Sequence, residues 1–435
     1  MAAVEAGLTD SRAPRRAHRS PLAVVRRLGW GVVDQGVSSL GNFALGLLAA
    51  KGLGAERFGA FTLAYVTYGV VLNAARGLAT DPLLVRHSGE RTPAWRRAVG
   101  VSAATGAWVG VVGGALCVLV GLALPQEVGL GFVALGIGMP GLLLQDAWRF
   151  AFFSSGHAWK AVVSDGLWAF LQLAGLAFLL VTGTASVFSC VLVFGGAATV
   201  AAAVGVWQVG FLPRWGGAWH WVVANIDLGG RYLIENVSIS GARQLRFTAL
   251  GGVTGLAAVG QVRAAEMLMG PFLVILMGMS QVAVPEASHI LRDAPRALGR
   301  FCFFFGAAQA AAAAVWGVLI LALVPRDAGE ELLGPLWGPA TGLLPVVVVG
   351  MCLGGFSVGA AAGVRALGAA RRSLRAQLIQ SGTYLVGGIG GAYLGGARGT
   401  CIGVAVATGA GATAYWYQLR VARAEHVAAQ SVEGK

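Results

Sequence analysis

Residues 98–124 read AVGVSAATGAWVGVVGGALCVLVGLAL, a run that contains no charged side chain. A helix needs about 20 consecutive apolar residues to cross a lipid bilayer, so this run is long enough to do so. The rest of the chain has the same character, because hydrophobic residues make up 56% of its 435 positions and charged residues only 12%. Soluble domains carry about twice that share of charge. The composition therefore predicts an integral membrane protein.

Short polar segments divide the apolar runs into about twelve predicted spans, with an N-terminal tail at residues 1–27 and a C-terminal tail at 421–435. A polar linker at residues 213–229 separates a first half, 28–212, from a second half, 230–420. We therefore expect an all-α membrane protein with two pseudo-symmetric lobes of six helices each. The predicted spans are residues 28–52, 58–80, 98–124, 128–150, 161–182, 185–207, 230–253, 257–285, 299–324, 340–363, 376–394 and 398–420.

The loops between these spans alternate in charge. Loops on the side of the N-terminal tail hold most of the arginines that give the chain its net charge of +13. Loops on the opposite side hold only four basic residues, Lys51, Arg57, Arg326 and Arg398. Because basic loops stay in the cytoplasm, this alternation predicts that both termini are cytoplasmic. The same rule accounts for the positive charge without nucleic-acid binding.

The two halves resemble each other at an ungapped shift of 201 residues. Transporters are often built from such repeats, with the substrate path between the two units. Chance similarity between two helices rich in glycine and alanine is the alternative explanation. The matched pairs include Asp34 with Glu235, Ser39 with Ser240, Gly54 with Gly255, and Gly59 with Gly260.

Two arginines lie near the middle of the seventh predicted span. Arg243 and Arg246 are one helical turn apart, and a charged side chain inside a span costs roughly 2.5–3.5 kcal/mol on insertion scales. They are therefore expected to face a cavity or carboxylates. Guanidinium groups bind phosphate and pyrophosphate oxygens well. Two interpretations stay open at this point: an anion-binding cavity, or ion pairs with Asp34 and Glu235 across the lobe interface.

The other charges inside the spans are predicted to form local pairs. Asp146 and Arg149 are expected to pair at the end of the fourth span. Arg263 and Glu266 have the i,i+3 spacing that allows a pair on one helix face. Arg76 is expected to extend its side chain to the nearer membrane interface.

No other pattern predicts catalysis or a bound cofactor. The six histidines are spread over loops and tails without the spacing of metal ligands, and no Ser/His/Asp arrangement is present. The five cysteines lie in apolar runs, where we expect them to pack as small side chains. The sequence therefore predicts a protein that is not an enzyme and has neither a cofactor nor a metal site.

Four short motifs are DQGVSSLGNF at residues 34–43, LGAERFGAF at 53–61, DPLLVR at 81–86 and QDAWR at 145–149. They resemble the corresponding segments of bacterial polysaccharide-biosynthesis flippases. These are Wzx-type transporters of the multidrug/oligosaccharidyl-lipid/polysaccharide (MOP) exporter superfamily. The likeness covers most of the chain in topology, but only about the first 160 residues in motifs. The second half departs from the pattern, since its Phe-Gly turn becomes Val259-Gly260.

The resemblance implies export of undecaprenyl-pyrophosphate-linked oligosaccharides by alternating access through a cationic central cavity. It implies that Asp34 and Asn42 of the first span and Arg243 and Arg246 of the seventh line that cavity. The expected partners are the lipid-linked glycan, membrane lipids, and glycosyltransferases and a polymerase of the same pathway. H+ or Na+ is the candidate coupling ion. The expected location is the bacterial cytoplasmic membrane.

Two alternatives belong to other functional classes. A multidrug or small-cation antiporter of the same superfamily would need a cavity dominated by carboxylates and aromatic rings, and two arginines would repel cationic drugs. A polymerase or scaffold of a glycan assembly machinery is the second alternative. A polymerase would need a large outer loop, whereas the longest predicted outer loop covers only about residues 325–339.

Overall fold

The computed structural model describes residues 21–87 and 91–433, apart from the side chains of some short stretches within those ranges. The described residues are almost all helical and form no strand, which confirms the predicted all-α fold class. The helices are α1 Pro21–Ala75, α2 Asp81–Arg86, α3 Pro93–Ala123, α4 Gln126–Ser154, α5 Ala158–Val181, α6 Val187–Val209, α7 Ala218–Ala224, α8 Ile226–Thr254, α9 Leu256–Leu268, α10 Gly270–Asp293, α11 Leu298–Leu323, α12 Arg326–Leu333, α13 Trp337–Ala366 and α14 Ala370–Glu433.

Two of the helices, α1 with 55 residues and α14 with 64, are each long enough to cross a bilayer twice. α1 bends at Gly54, and α14 bends at Gly395 and Gly396, where the backbone leaves the helical conformation. With α9 and α10 taken as one bent span, the described residues form twelve rods of membrane length. Length and apolar composition alone qualify seven stretches of the described residues as spans. α8 is not among these, because its arginines and amides lower its hydropathy.

The predicted repeat has a structural counterpart at the turns between spans. Gly54 has φ 71° and ψ 176°, and Gly255, 201 residues later, has φ 90° and ψ 166°. Only glycine adopts this region of φ and ψ readily. The two matched glycines therefore make the same sharp turn in the two lobes. We call this face of the molecule the far side, and the opposite face, where α14 ends, the terminal side.

The lobes meet on the far side through a reciprocal pair of contacts. Gly59 of α1 packs on the backbone carbonyl of Leu256, and Gly260 of α9 packs on the backbone carbonyl of Ala55. The shift of 201 residues converts one contact into the other. A side chain at either glycine would overlap the facing carbonyl, so both positions need glycine for the lobes to touch.

Within each lobe, small residues let the helices pack closely, as is usual in membranes. In the first lobe, Gly138 of α4 packs against Gly195 of α6. In the second lobe, Gly359 of α13 packs against the carbonyl of Cys302 in α11. Burial of apolar side chains adds little in lipid, so these backbone contacts carry much of the helix association.

The segment between the lobes is short and packs against the first lobe. It contains a single 3-10 turn, Trp215–Gly217, followed by α7. The backbone N–H of Arg214 donates to the carbonyl of Gly100 in α3 at 2.8 Å. α8 begins at Ile226, inside the predicted linker, and α14 continues through residues 421–433 of the predicted C-terminal tail. Most of the predicted N-terminal tail, residues 1–20, lies outside the described residues.

Candidate substrate cavity

A cavity of about 800 Å³ lies between the lobes, mostly against the second lobe. α1, α8, α9, α13 and both halves of α14 contribute to its wall. It reaches from Arg365 and Gln377 on the terminal side to Cys401, close to the bend of α14 on the far side. Asn42, Arg243 and Arg246, the predicted substrate-binding residues, all line it. Their role in binding stays a prediction.

Glu266 of α9 holds both arginines of α8. Nη2 of Arg243 lies 2.9 Å from Oε2 of Glu266, and Nη2 of Arg246 lies 2.6 Å from Oε1. The pairs predicted between these arginines and Asp34 do not form, because Asp34 pairs within the first lobe. The side chain of Glu235 lies outside the described residues. The arginine pair therefore shares one carboxylate and keeps an excess of positive charge.

Arg246 is buried among aromatic rings. Its side chain is 1% exposed, and its guanidinium carbon lies 4.3 Å from the centre of the Phe247 ring and 5.4 Å from that of Tyr384. Within the described part of the chain, its Nε has no hydrogen-bond partner. Buried polar atoms are nearly always paired, so this buried, unpaired N–H is an exception in the wall of the cavity. Arg243 is 43% exposed and is open to the cavity.

The predicted pair between Arg263 and Glu266 is wrong. No ion pair of Arg263 within 4.0 Å occurs among the described residues, and its guanidinium instead lies 5.3 Å from the Tyr65 ring centre. The reason is competition, since the two arginines of α8 already occupy both oxygens of Glu266. Four arginines and one described carboxylate line the cavity, which gives it a formal charge of 4 − 1 = +3. The charged lining residues are Arg243, Arg246, Arg263, Arg365 and Glu266.

A second group of charges lies inside the first lobe. Arg149 of α4 donates to Asp34 of α1 through Nε, at 2.8 Å, and through Nη2. The same Nε lies 3.2 Å from Oδ2 of Asp165 in α5. Asp34 and Asp165 are both buried. Arg149 therefore links three helices of the lobe.

The predicted pair between Asp146 and Arg149 is only a minor contact, at 3.9 Å. Asp146 instead accepts two hydrogen bonds from Arg76, at 3.0 and 2.6 Å. Arg76 therefore does not extend to the membrane interface as predicted. It lies in a short π-helical turn, Arg76–Thr80, that follows α1 and points its side chain at α4.

The sequence interpretation missed Asp165, although an acidic residue inside the fifth predicted span was an available signal. With it, this group holds three carboxylates and two guanidiniums, a formal charge of 2 − 3 = −1. Oδ1 of Asp34 and Oδ2 of Asp165 are buried and have no hydrogen-bond partner among the described residues. The group is thus one positive charge short of neutrality.

The lobes are also joined on the terminal side, through contacts that the sequence did not reveal. Arg86 of α2 donates to Oδ1 of Asn225 at 2.8 Å and to the carboxylate of Asp227 at 2.7 Å. Nδ2 of Asn236 donates to Oδ2 of Asp81 at 2.9 Å. Both contacts connect α8 to the segment that follows α1.

Comparison with known proteins identifies related folds but does not assign the chain to a family. No protein-family model matches the chain, and no curated protein sequence matches it either. Among solved structures, the lipid II flippase MurJ in an inward closed conformation has a TM-score of 0.67 at 13% identity, over 89% of this chain and 87% of that one. An inward-facing multidrug-resistance MATE transporter of the MOP superfamily has a TM-score of 0.59 at 16% identity, over 89% and 95%.

A third similar structure is a MOP superfamily transporter from Pyrococcus furiosus, described by a binding pocket of reversed polarity. It has a TM-score of 0.55 at 15% identity, over 92% of this chain and 95% of that one. The identities are low, so these likenesses concern the fold. The chain therefore shares its overall fold with solved transporters of the MOP superfamily.

Proposed function

We propose that this protein is a flippase that moves an undecaprenyl-pyrophosphate-linked oligosaccharide across the bacterial cytoplasmic membrane. The single observation that carries the proposal is the cavity between the lobes, lined by four arginines and one described carboxylate. Its volume, about 800 Å³, lies at the upper end of the range for ligand pockets, roughly 300–1,000 Å³. The arginines would hold the pyrophosphate while sugars occupy the rest of the cavity.

Glu266 has a specific part in this proposal. It pairs with both Arg243 and Arg246, which keeps two guanidiniums from being unpaired inside a bilayer. A pyrophosphate offers more oxygens than one carboxylate and can accept from both arginines, most directly from Arg243, which is open to the cavity. The substrate would thus compete with an internal carboxylate for the same donors.

Transport would follow alternating access between the two lobes, with both termini in the cytoplasm. The far-side contacts of Gly59 and Gly260 close one end of the path. The membrane potential, negative inside, would favour outward movement of an anion by roughly 2.3 kcal/mol per charge per 100 mV. A coupling ion would add to this force.

The charge group of the first lobe is the proposed coupling site. It lacks one positive charge, and a proton on Asp34 or Asp165 would neutralise it.

Replacement of Asp34 by Asn should keep the protein inserted and able to bind substrate but reduce transport by about tenfold or more. The amide resembles the permanently protonated carboxyl, so the charge group would no longer release its proton during the cycle. Transport should be measured in proteoliposomes with an imposed pH gradient. The matched control is Glu127→Gln, which removes a carboxylate of an exposed far-side pair. Transport by the Asp34 variant that still rises with the gradient would exclude the coupling role.

A multidrug transporter is the second candidate, and the likeness to MATE structures supports it equally. The observation in its favour is the aromatic wall of the cavity, which includes Phe43, Tyr65 and Tyr384. Its weakness is the cationic charge, since arginines repel cationic drugs.

Removal of the gene distinguishes the two candidates. If the proposed function is correct, the deletion strain accumulates a lipid-linked oligosaccharide on the cytoplasmic leaflet and keeps its resistance to cationic drugs. Loss of drug resistance without a lipid-linked intermediate would instead establish the multidrug function.

A further inference from the structure

We propose that the apolar tail of the substrate leaves the cavity through the seam between α13 and the second half of α14, and lies in a groove along α14. This inference rests on the proposed function and names the route of the lipid tail, which the cavity alone does not show. The tail would then cross the wall of the second lobe and would not follow the interface between the two lobes.

The first support is that three cavities share their walls. Val346 of α13 and Ala405 of α14 line both the central cavity and an outer pocket of about 400 Å³. Ile402 and Val406 of α14 line both this outer pocket and a groove of about 850 Å³. The cavity, the pocket and the groove therefore form one series that runs from the arginines to the lipid-facing surface.

The second support is the change of chemistry along the series. The central cavity carries a formal charge of +3, whereas every side chain of the outer pocket is apolar, from Pro345 and Leu353 of α13 to Gly409 of α14. Val349 and Val406 are exposed on the outer surface. A molecule that matches the whole series has an anionic head and a long apolar tail.

The third support is that the wall at the seam is thin. Gly350 of α13 faces Ala405, and a Cβ on Gly350 would lie 3.6 Å from the Cβ of Ala405. Small residues on both helices leave nothing to interlock, so a modest separation of α13 and α14 would join the cavity to the pocket. The far-side contact between the lobes differs, because there Gly59 and Gly260 press directly on backbone carbonyls of the other lobe.

The groove suits a single hydrocarbon chain that ends at a phosphate. It follows both halves of α14 from Gly382 to Ala410, and apart from Thr383 and Arg398 its walls are glycines and aliphatic side chains. Arg398 lies in its lining on the far side and makes no ion pair among the described residues. The groove is therefore shaped for the tail, and Arg398 is placed to meet the phosphate when the head arrives on the far side.

A disulfide across the seam tests the route. The variant Gly350→Cys with Ala405→Cys places two Cβ atoms at about the separation of a disulfide, roughly 3.5–4.5 Å. It is made in a protein whose native cysteines, Cys117, Cys190, Cys302, Cys352 and Cys401, are replaced by Ala. Oxidation should lower translocation of undecaprenyl pyrophosphate in proteoliposomes at least about tenfold, and reduction should restore it. Binding of inorganic pyrophosphate, which has no tail to pass through the seam, should persist in the oxidised protein.

The matched control is Gly106→Cys with Ala147→Cys, which joins α3 to α4 inside the first lobe at the same 3.6 Å. Its oxidation should leave translocation unchanged. If the stapled seam translocates normally while the cavity arginines are still required, the route is wrong and the proposed function stands. If the arginines are not required either, the proposed function itself fails.

Photocrosslinking supplies a second measurement that does not depend on the disulfide. A benzophenone side chain at Val406 should form an adduct with undecaprenyl pyrophosphate, whereas one at Val318, equally exposed on α11, should capture bulk phospholipid. Adducts at Val406 that hold only bulk phospholipid, or that join two copies of the chain, would overturn the assignment of the groove.

Discussion

Export of the lipid-linked glycan is expected to stop when Arg243 and Arg246 are both replaced by Ala, while the protein remains inserted in the membrane. Each arginine would lose charge-assisted hydrogen bonds to the pyrophosphate, which are worth about 1.5–3 kcal/mol apiece. Two such losses reduce affinity by about a hundredfold or more. Export is measured by surface glycan in cells and by translocation of undecaprenyl-pyrophosphate-linked oligosaccharide in proteoliposomes.

The buried environment calls for matched variants. Removing the arginines alone leaves Glu266 with Arg263 as its nearest remaining cation, and an unpaired buried charge can destabilise a protein by about 3–5 kcal/mol. The triple variant Arg243→Gln, Arg246→Gln, Glu266→Gln removes the group as a whole and should also fail to export. Arg57→Ala, at an exposed far-side pair, controls for the loss of one arginine.

Glu266→Gln alone should change the affinity for substrate in the opposite direction. It therefore distinguishes a role of this charge group in binding from a role in folding. This variant frees both guanidiniums, so the substrate should bind more tightly and be released more slowly. If Arg243, Arg246 and Glu266 only stabilise the fold, this variant would have a lower free energy of unfolding and no higher affinity for substrate. Unchanged export by the double arginine variant would contradict the binding role.

The second large effect is expected at the far-side contact of the lobes. Val in place of Gly59 or Gly260 would overlap the carbonyl of Leu256 or Ala55, so the far side could no longer close. The protein should shift to a far-side-open form, and transport should fall at least about tenfold, because overlaps in a packed interface typically cost about 1–3 kcal/mol. The two variants should behave alike, since the repeat makes their contacts equivalent.

A cysteine in place of Ser381, in a protein whose native cysteines are replaced by Ala, reports this shift, because residue 381 lines the central cavity and is only half-buried. A membrane-impermeant thiol reagent should label it from the terminal side in this parent protein and from the far side in the two variants. Gly69→Val is the matched control, since Gly69 lies in the same helix and nothing lies within 4 Å of a Cβ there. Equal labelling of the parent protein and the Gly59 variant from each side would show that the glycines do not form the gate.

The sequence predicted well those features that the lipid bilayer imposes, namely the spans, the turns between them and the depth of the charged residues. Apolar runs located the spans, and the repeat predicted the matched turns at Gly54 and Gly255. The depth of Arg243 and Arg246 predicted that they face a cavity or carboxylates, and the structure places them at both. The free-energy cost of placing a charge in the bilayer and the period of the α-helix are both properties of a single segment. They can therefore be judged from the sequence of that segment alone.

The partners of the charges could not be predicted in the same way. Spacing on one helix favoured Arg263 with Glu266 and Arg149 with Asp146, but neighbouring helices supply closer partners. Which helix faces which is decided by packing, and small residues such as Gly388, which adjoins the Arg246 side chain, set that packing. The polar character of α8 also follows from its place at the cavity.

The most direct test is translocation by the purified protein in proteoliposomes that contain undecaprenyl-pyrophosphate-linked oligosaccharide in one leaflet. The proposed function predicts that the wild type moves this lipid to the other leaflet, whereas empty liposomes and the double arginine variant do not. Movement of a cationic drug with no movement of the lipid would contradict it.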